Sequence, residues 1–341
     1  MVRSLHKNAH GVIGDKLLLS TNISNPDYNS ENGYVDCCYI ITLGVRKNIL
    51  QIVREMKTSA KNIVIIANEP TNILNESSRM NAETLYIDDI DAFDWYDDLE
   101  ININPSVSIN PHFDIGKKRT FALRHARAHN YKAICMIDDD IVFPGKASHC
   151  ISCANSRLES GVSICCFYSL RAPDVSTIDL ISSAIRKRSP RVSISGNFVV
   201  LNAQEISGVF PHIYNEDWIF FIANIYAGNR IEGIGIVEQL PRSDDGTDRV
   251  AFEQFGEIIA SGIRVSRLKG IHLGAMSKED WEDFRRVYES DLRQLQIEAE
   301  SSARPDWMNL LDRALNAVDG VDSGQLYRFA RCVGKELLNE K

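Results

Sequence analysis

The chain has 341 residues, of which 44% are hydrophobic and 25% charged, the balance of a folded globular protein rather than a disordered one. Its formal charge of −8 argues against a general nucleic-acid binder, which would present a basic surface, so any phosphate site has to be local. The apolar run at 17–19 is too short for a signal-peptide core, and no segment reaches the roughly 20 apolar residues of a membrane helix; a cytoplasmic protein without a transmembrane segment is expected.

This length allows one large α/β domain with additions, or two modest domains. Residues 1–34 are polar and carry turn signals at Asn25-Pro26 and Asn32-Gly33, so they read as an N-terminal extension. The run 37–43 is apolar on both faces, as in a strand covered by helices on two sides. Ile49, Ile52, Val53 and Met56 then recur at helical spacing within 45–57, and 62–67 is a second apolar strand, completing a βαβ opening. The acidic stretch 68–111 reads as a variable connection with one short strand at 84–87. A helix at 115–130, a strand at 132–137 and a helix near 147–160 follow. Strands are expected at 162–168, 193–202 and 231–237, with a partly helical segment at 212–227.

The core domain is read as 35–275. Beyond it, Trp281, Phe284, Tyr288, Leu292 and Leu295 make 277–302 an amphipathic helix, and 308–318 and 325–338 two more. This C-terminal helical extension, 276–341, is expected to pack on the main domain or to form a homodimer contact. The eight cysteines, among them Cys37, Cys38, Cys135, Cys165 and Cys166, suit reduced core residues. Cys150 and Cys153 lack the second well-spaced ligand pair of a structural zinc site.

The chemistry concentrates between 115 and 143. Residues 115–137 hold six Lys or Arg and no acid, and then Asp138, Asp139 and Asp140 end a buried strand. Ligands of open α/β sheets bind beyond the carboxyl ends of strands. Three adjacent carboxylates repel one another unless a counter-charge is supplied, and Mg²⁺ or Mn²⁺ bridging carboxylates and substrate phosphates would supply it. Lys118 and Arg119, at a helix start, offer cationic groups to the same anion. The plainer alternative is a solvated acidic turn beside a basic helix face.

A strand ending in Asp-x-Asp, after a Lys-Arg helix and a βαβ opening, resembles the GT-A glycosyltransferases. The resemblance covers about 35–275 and implies a GT-A, Rossmann-like α/β fold: a mixed, mostly parallel sheet flanked by helices. It implies that Asp138 lies toward the donor ribose with Asp139 beside it, that Asp140 is the principal metal ligand with Asp138 assisting, and that Mn²⁺ or Mg²⁺ is the cofactor. Thr120 stands where the family usually has Asn. Downstream, Gly196 and Asn197 followed by Glu216 and Asp217 match the family's acceptor border, with Asp217 as the base of an inverting reaction or as a positioning group. A carboxylate at a helix N-terminus is favoured in its charged form.

His272 is a candidate third metal ligand, Thr42, Gly44, Asn68 and Glu69 are candidate donor-base contacts, and the polar stretch 239–249 is a candidate lid. The function implied is transfer of a sugar from a nucleoside diphosphate sugar, UDP favoured, to a small-molecule, glycan or peptide acceptor. Two alternatives stay open: a nucleotidyltransferase that makes a nucleotide sugar, and a noncatalytic binding protein of the same fold.

Overall fold

The computed structural model describes residues 33–42, 46–86, 114–169, 176–187, 194–206, 208–240, 247–268, 270–271, 273–302 and 304–334. Gly44, His272, most of the expected N-terminal extension and the middle of the stretch 239–249 lie outside them.

Eight strands form one sheet in the order β3-β2-β1-β4-β7-β6-β8-β5: β1 Val35–Ile41, β2 Ala60–Ala67, β3 Glu83–Tyr86, β4 Ala133–Asp138, β5 Ile141–Val142, β6 Ile164–Ser169, β7 Ile194–Asn202 and β8 Ile231–Gln239. β1 pairs in parallel with β2 and β4, β2 with β3, and β6 with β8. β7 lies antiparallel between β4 and β6, and β5 antiparallel on β8. This is the mixed, mostly parallel sheet expected from the sequence. The antiparallel insertion of β7 matters for the site, because it brings the start of β7 beside the carboxyl end of β4, with Phe198 opposite Ile137.

Side chains alternate across the sheet with period two. On one face Cys38, Ile40, Ile65, Cys135, Ile137 and Val200 pack under α1 Asn48–Met56, α2 Asn72–Ser78 and α4 Ala147–Glu159. On the other, Tyr39, Ile41, Ile66, Ile134, Met136 and Val199 pack under α3 Ile115–Ala128 and α6 Glu216–Tyr226. Among the described residues all eight cysteines are free thiols, and five of them are buried in these layers.

The remaining helices build a third apolar cluster: α5 Thr177–Ile185, α7 Thr247–Leu268, α8 Lys278–Glu300, α9 Pro305–Asp319 and α10 Ser323–Cys332. The outer side of α6 joins it through Ile219, Ile222 and Ala223. α8 begins with a capping box between Ser277 and Asp280 and buries Trp281, Phe284, Tyr288, Leu292, Leu295 and Ala299 along one stripe. The expected C-terminal helices are therefore present. Three helices and one strand go beyond the sequence reading: α2, α5, α7 and β5. Residues 247–249 belong to α7 and Gln239 to β8, so only the middle of the stretch read as a lid joins these elements. Leu273–Ala275 is a 3₁₀ turn. No helix among the described residues is long and apolar enough to cross a membrane.

α7 also sets the approach to α6. A Cβ placed on Gly256 would sit 2.0 Å from the backbone oxygen of Tyr214, a contact that neither backbone can give way to cheaply. Tyr214 immediately precedes Asn215, which takes a left-handed conformation, φ 66°, as the residue before α6. Its amide donates to Glu257 at 3.1 Å. Gly256→Ala is expected to cost about 1–3 kcal/mol, the range for overpacking, read as a lower urea midpoint at unchanged slope.

Candidate functional site

Period two places Asp138, the last residue of β4, on the side of Ile134 and Met136, facing α3. There Arg119 donates from one terminal nitrogen to both Asp138 oxygens at 2.9 and 3.0 Å. Its other terminal nitrogen donates to Glu216, the first residue of α6. The guanidinium passes so close over β7 that a Cβ on Gly196 would lie 2.5 Å from it and 2.7 Å from the Cβ of Asp217. Glycine is required here by close approach rather than by backbone angle. The Gly196 N–H donates to Asp217 Oδ2 at 2.7 Å, and the Trp218 N–H to Oδ1 at 2.7 Å. Four segments distant in sequence thus meet at one buried cation. Burial alone would depress the Arg119 guanidinium, but Asp138, Glu216 and Asp217 hold it above its ordinary value.

Lys118 faces the other way. Its ammonium is buried and donates to the Thr42 carbonyl at 2.7 Å and to the Asn68 side chain, and pairs with Asp114 at 2.9 Å. Asn68 in turn donates to Asp114. Lys118 therefore ties together the carboxyl ends of β1 and β2, where the donor-base contacts were sought. Burial lowers its proton affinity, and Asp114 opposes that. Glu69 is exposed just beyond β2. Lys118 and Arg119 thus both have protein oxygens as partners.

The turn Asp139–Asp140 is pinned from three sides. Asn48, opening α1, donates its amide to the carbonyls of Asp139 and Ile141 at 3.0 and 2.8 Å. Leu240 N–H donates to the Asp140 carbonyl at 2.8 Å, and the Gln239 amide to Asp140 Oδ2 at 3.1 Å. Thr42 donates its hydroxyl to Asp139 Oδ2. Arg46 lies against the pair, 3.4 Å from Asp139 and 3.6 Å from Asp140. Burial raises the Asp139 carboxyl above its usual range, while Thr42 and Arg46 pull it back.

The structure brings together Asp138, Gly196, Glu216 and Asp217 around Arg119, and Thr42, Asp139 and Asp140 around the neighbouring turn. Asn197 is 1% exposed, and among the described residues both polar atoms of its side chain lack a hydrogen-bond partner. No group of three or more His, Cys, Asp or Glu among the described residues is arranged to hold a metal ion. The carboxylate oxygens of the turn are nevertheless the hard donors that Mg²⁺ or Mn²⁺ takes, and such ions draw their remaining ligands from water and phosphate. Sequence reasoning missed Arg46, Asn48, Asp114 and Gln239. Asp114 had a readable signal, since it stands four residues before Lys118, a favourable helical ion-pair spacing.

No protein-family model matches the sequence, and no curated protein does. Among solved structures, the chain is similar to glucosyl-3-phosphoglycerate synthase from Mycobacterium tuberculosis in complex with phosphoglyceric acid, at 12% identity over 67% of this chain and 80% of that one, with a TM-score of 0.44. The same enzyme in complex with Mn²⁺, uridine diphosphate and glucosyl-3-phosphoglycerate matches at 11% identity over 70% and 81% of the two chains, with a TM-score of 0.42. A structure described as a mycobacterial protein matches at 12% identity over 67% and 74%, with a TM-score of 0.42.

Proposed function

We propose that the chain is a metal-dependent glycosyltransferase of the GT-A type, moving a sugar from a nucleoside diphosphate sugar, preferably a UDP-sugar, to an acceptor hydroxyl. The observation that carries this reading is the convergence at Arg119. One guanidinium joins the strand-end Asp138 to the helix-start Glu216, 97 residues away from Arg119 in sequence, and Asp217 and Gly196 adjoin it. A strand-end carboxylate group and a helix-start carboxylate group on one side of a sheet give the two halves a transferase needs, a place for donor phosphates and a place for the acceptor.

In this reading Asp140, assisted by Asp138 and by His272, would hold Mn²⁺ or Mg²⁺, which when bound offsets the charge that develops on the departing diphosphate. Asp138 and Asp139 border the donor ribose. Thr42, Gly44, Asn68 and Glu69 border the base, with Lys118 fixing Thr42 and Asn68. Arg119 holds Asp138 and Glu216 in register. Asp217 accepts a hydrogen bond from the acceptor hydroxyl, and takes its proton if the reaction inverts configuration. Gly196 and Asn197 line the same region. The reading divides the chain into 1–34, 35–275 and 276–341. It includes a cytoplasmic location, no nucleic-acid partner, and a homodimer contact through the C-terminal helices, where Ile297 is 58% exposed on α8.

The test is donor hydrolysis by the full chain. Slow release of nucleoside diphosphate from one nucleotide sugar, dependent on Mn²⁺ and stopped by chelator, is expected. Pyrophosphate released from a nucleoside triphosphate would replace this reading with a nucleotidyltransferase. Neither product, with every nucleotide sugar tried, would leave a noncatalytic binding protein.

A further inference from the structure

The two arginines beside the aspartate triplet are held in opposite ways. Arg119 is locked, with hydrogen bonds at 2.9 and 3.0 Å to Asp138 and a side chain only 3% exposed. Arg46 stands 3.4 and 3.6 Å from Asp139 and Asp140, with a side chain 29% exposed. Those separations exceed hydrogen-bond length. They bind by charge alone, in a setting where water competes.

From this contrast we propose that Arg46 is an exchangeable counter-ion, which neutralises Asp139 and Asp140 before substrate arrives and turns onto the donor diphosphate once a divalent cation takes its place. The inference rests on the metal-dependent reading above. A cation of charge two on Asp140 would lie within a few ångströms of the guanidinium and repel it. The displaced side chain would need a new anion, and a diphosphate bound to the same cation would supply one. A guanidinium suits that second partner because its planar fork matches phosphate oxygens two at a time. The same side chain thus opposes metal binding to the empty protein and favours diphosphate binding to the metal-loaded one. A purely structural arginine would not produce these opposite signs.

The experiment compares the full chain with Arg46→Gln and Asp140→Asn. Mn²⁺ affinity without nucleotide is read from the electron paramagnetic resonance of unbound Mn²⁺, and UDP affinity at saturating Mn²⁺ by calorimetry. Arg46→Gln should bind Mn²⁺ about three- to tenfold more tightly than the parent chain, the worth of one or two partly exposed ion pairs. It should bind UDP about tenfold more weakly, the loss of a charge-assisted contact. Unchanged or weaker Mn²⁺ binding in Arg46→Gln overturns the counter-ion role, and unchanged UDP binding overturns the exchange. Asp140→Asn separates the two levels. If it binds Mn²⁺ as the parent does, or if the parent binds none with or without UDP, the metal reading itself fails. If Asp140→Asn loses Mn²⁺ and Arg46→Gln gains nothing, only the inference about Arg46 falls.

Discussion

Replacing Asp217 by Asn should lower turnover by roughly 10²–10⁴-fold, the range for a lost general base, while UDP and Mn²⁺ affinities stay close to those of the parent chain. Asp217 is buried, and each of its carboxylate oxygens already accepts one backbone N–H, from Gly196 and from Trp218. Those bonds aim the group. A carboxylate oxygen accepts along two directions, which is what an acceptor hydroxyl needs here. Asparagine keeps one such oxygen but turns an amide toward a backbone N–H, so a stability loss of about 1–3 kcal/mol is expected as well. Activity must therefore be compared at a temperature where thermal melting shows both proteins folded. A tenfold loss with a raised acceptor KM would make Asp217 a positioning group and favour retention of configuration. Normal turnover would remove Asp217 from the mechanism and direct attention to Glu216, whose carboxylate Arg119 holds next door.

The sheet was legible wherever burial on both faces left continuous apolar runs. β1, β2, β4 and β6 carry such runs, β7 carries one from Phe198 to Leu201, and β8 shows isoleucines spaced by Glu232, Gly233 and Gly235 instead; the expected ends of all six fall within a few residues of the observed ones. The carboxylates were legible for a related reason. Asp138 closes an apolar strand and Glu216 opens an apolar helix, and charge at such boundaries stands out.

α7 was not legible, and its glycines explain why. Thr247–Leu268 begins in a polar, turn-rich stretch and contains Gly256 and Gly262, each of which disfavours a helix by about 1 kcal/mol relative to Ala. Both are there because something lies against the helix. Gly256 meets the Tyr214 backbone, and Gly262 meets the Trp281 ring, 2.3 Å from where a Cβ would be. Only the tertiary contact accounts for them. α5 hid differently, since its short apolar stretch sits among polar residues, and Ser176 as its cap, accepting from Asp179 N–H, was passed over.

The basic helix start shows the limit of reading charge without phase. Six positive residues before an acid triplet suggest a phosphate contact, yet Arg119 lies four and seven residues before the buried Leu123 and Ala126. That spacing puts it on the inward stripe of α3, facing protein carboxylates. The local partnership of Arg46 had no such signal, because it depends on how the chain after β1 returns to the turn at Asp139.

This phase argument makes Arg119 the most consequential single position for stability. Arg119→Ala would leave Asp138, Glu216 and Asp217 close together without the cation that separates them, and breaking a buried ion pair from one side costs about 3–5 kcal/mol. That is a large share of the 5–15 kcal/mol typical of a folded domain, so a marked fall in the urea midpoint is expected. Arg119→Lys keeps the charge but not the fork that reaches both Asp138 and Glu216, and should fall between the two. Adding Glu216→Gln to Arg119→Ala removes one of the orphaned charges, so the double variant should recover about 0.5–3 kcal/mol relative to the sum of the single losses, the range for contacting residues. If Arg119 served chiefly as a ligand of the donor diphosphate, the pattern would reverse. Arg119→Ala would then unfold near the parent's midpoint, lose UDP affinity at saturating Mn²⁺, and show no coupling to Glu216→Gln.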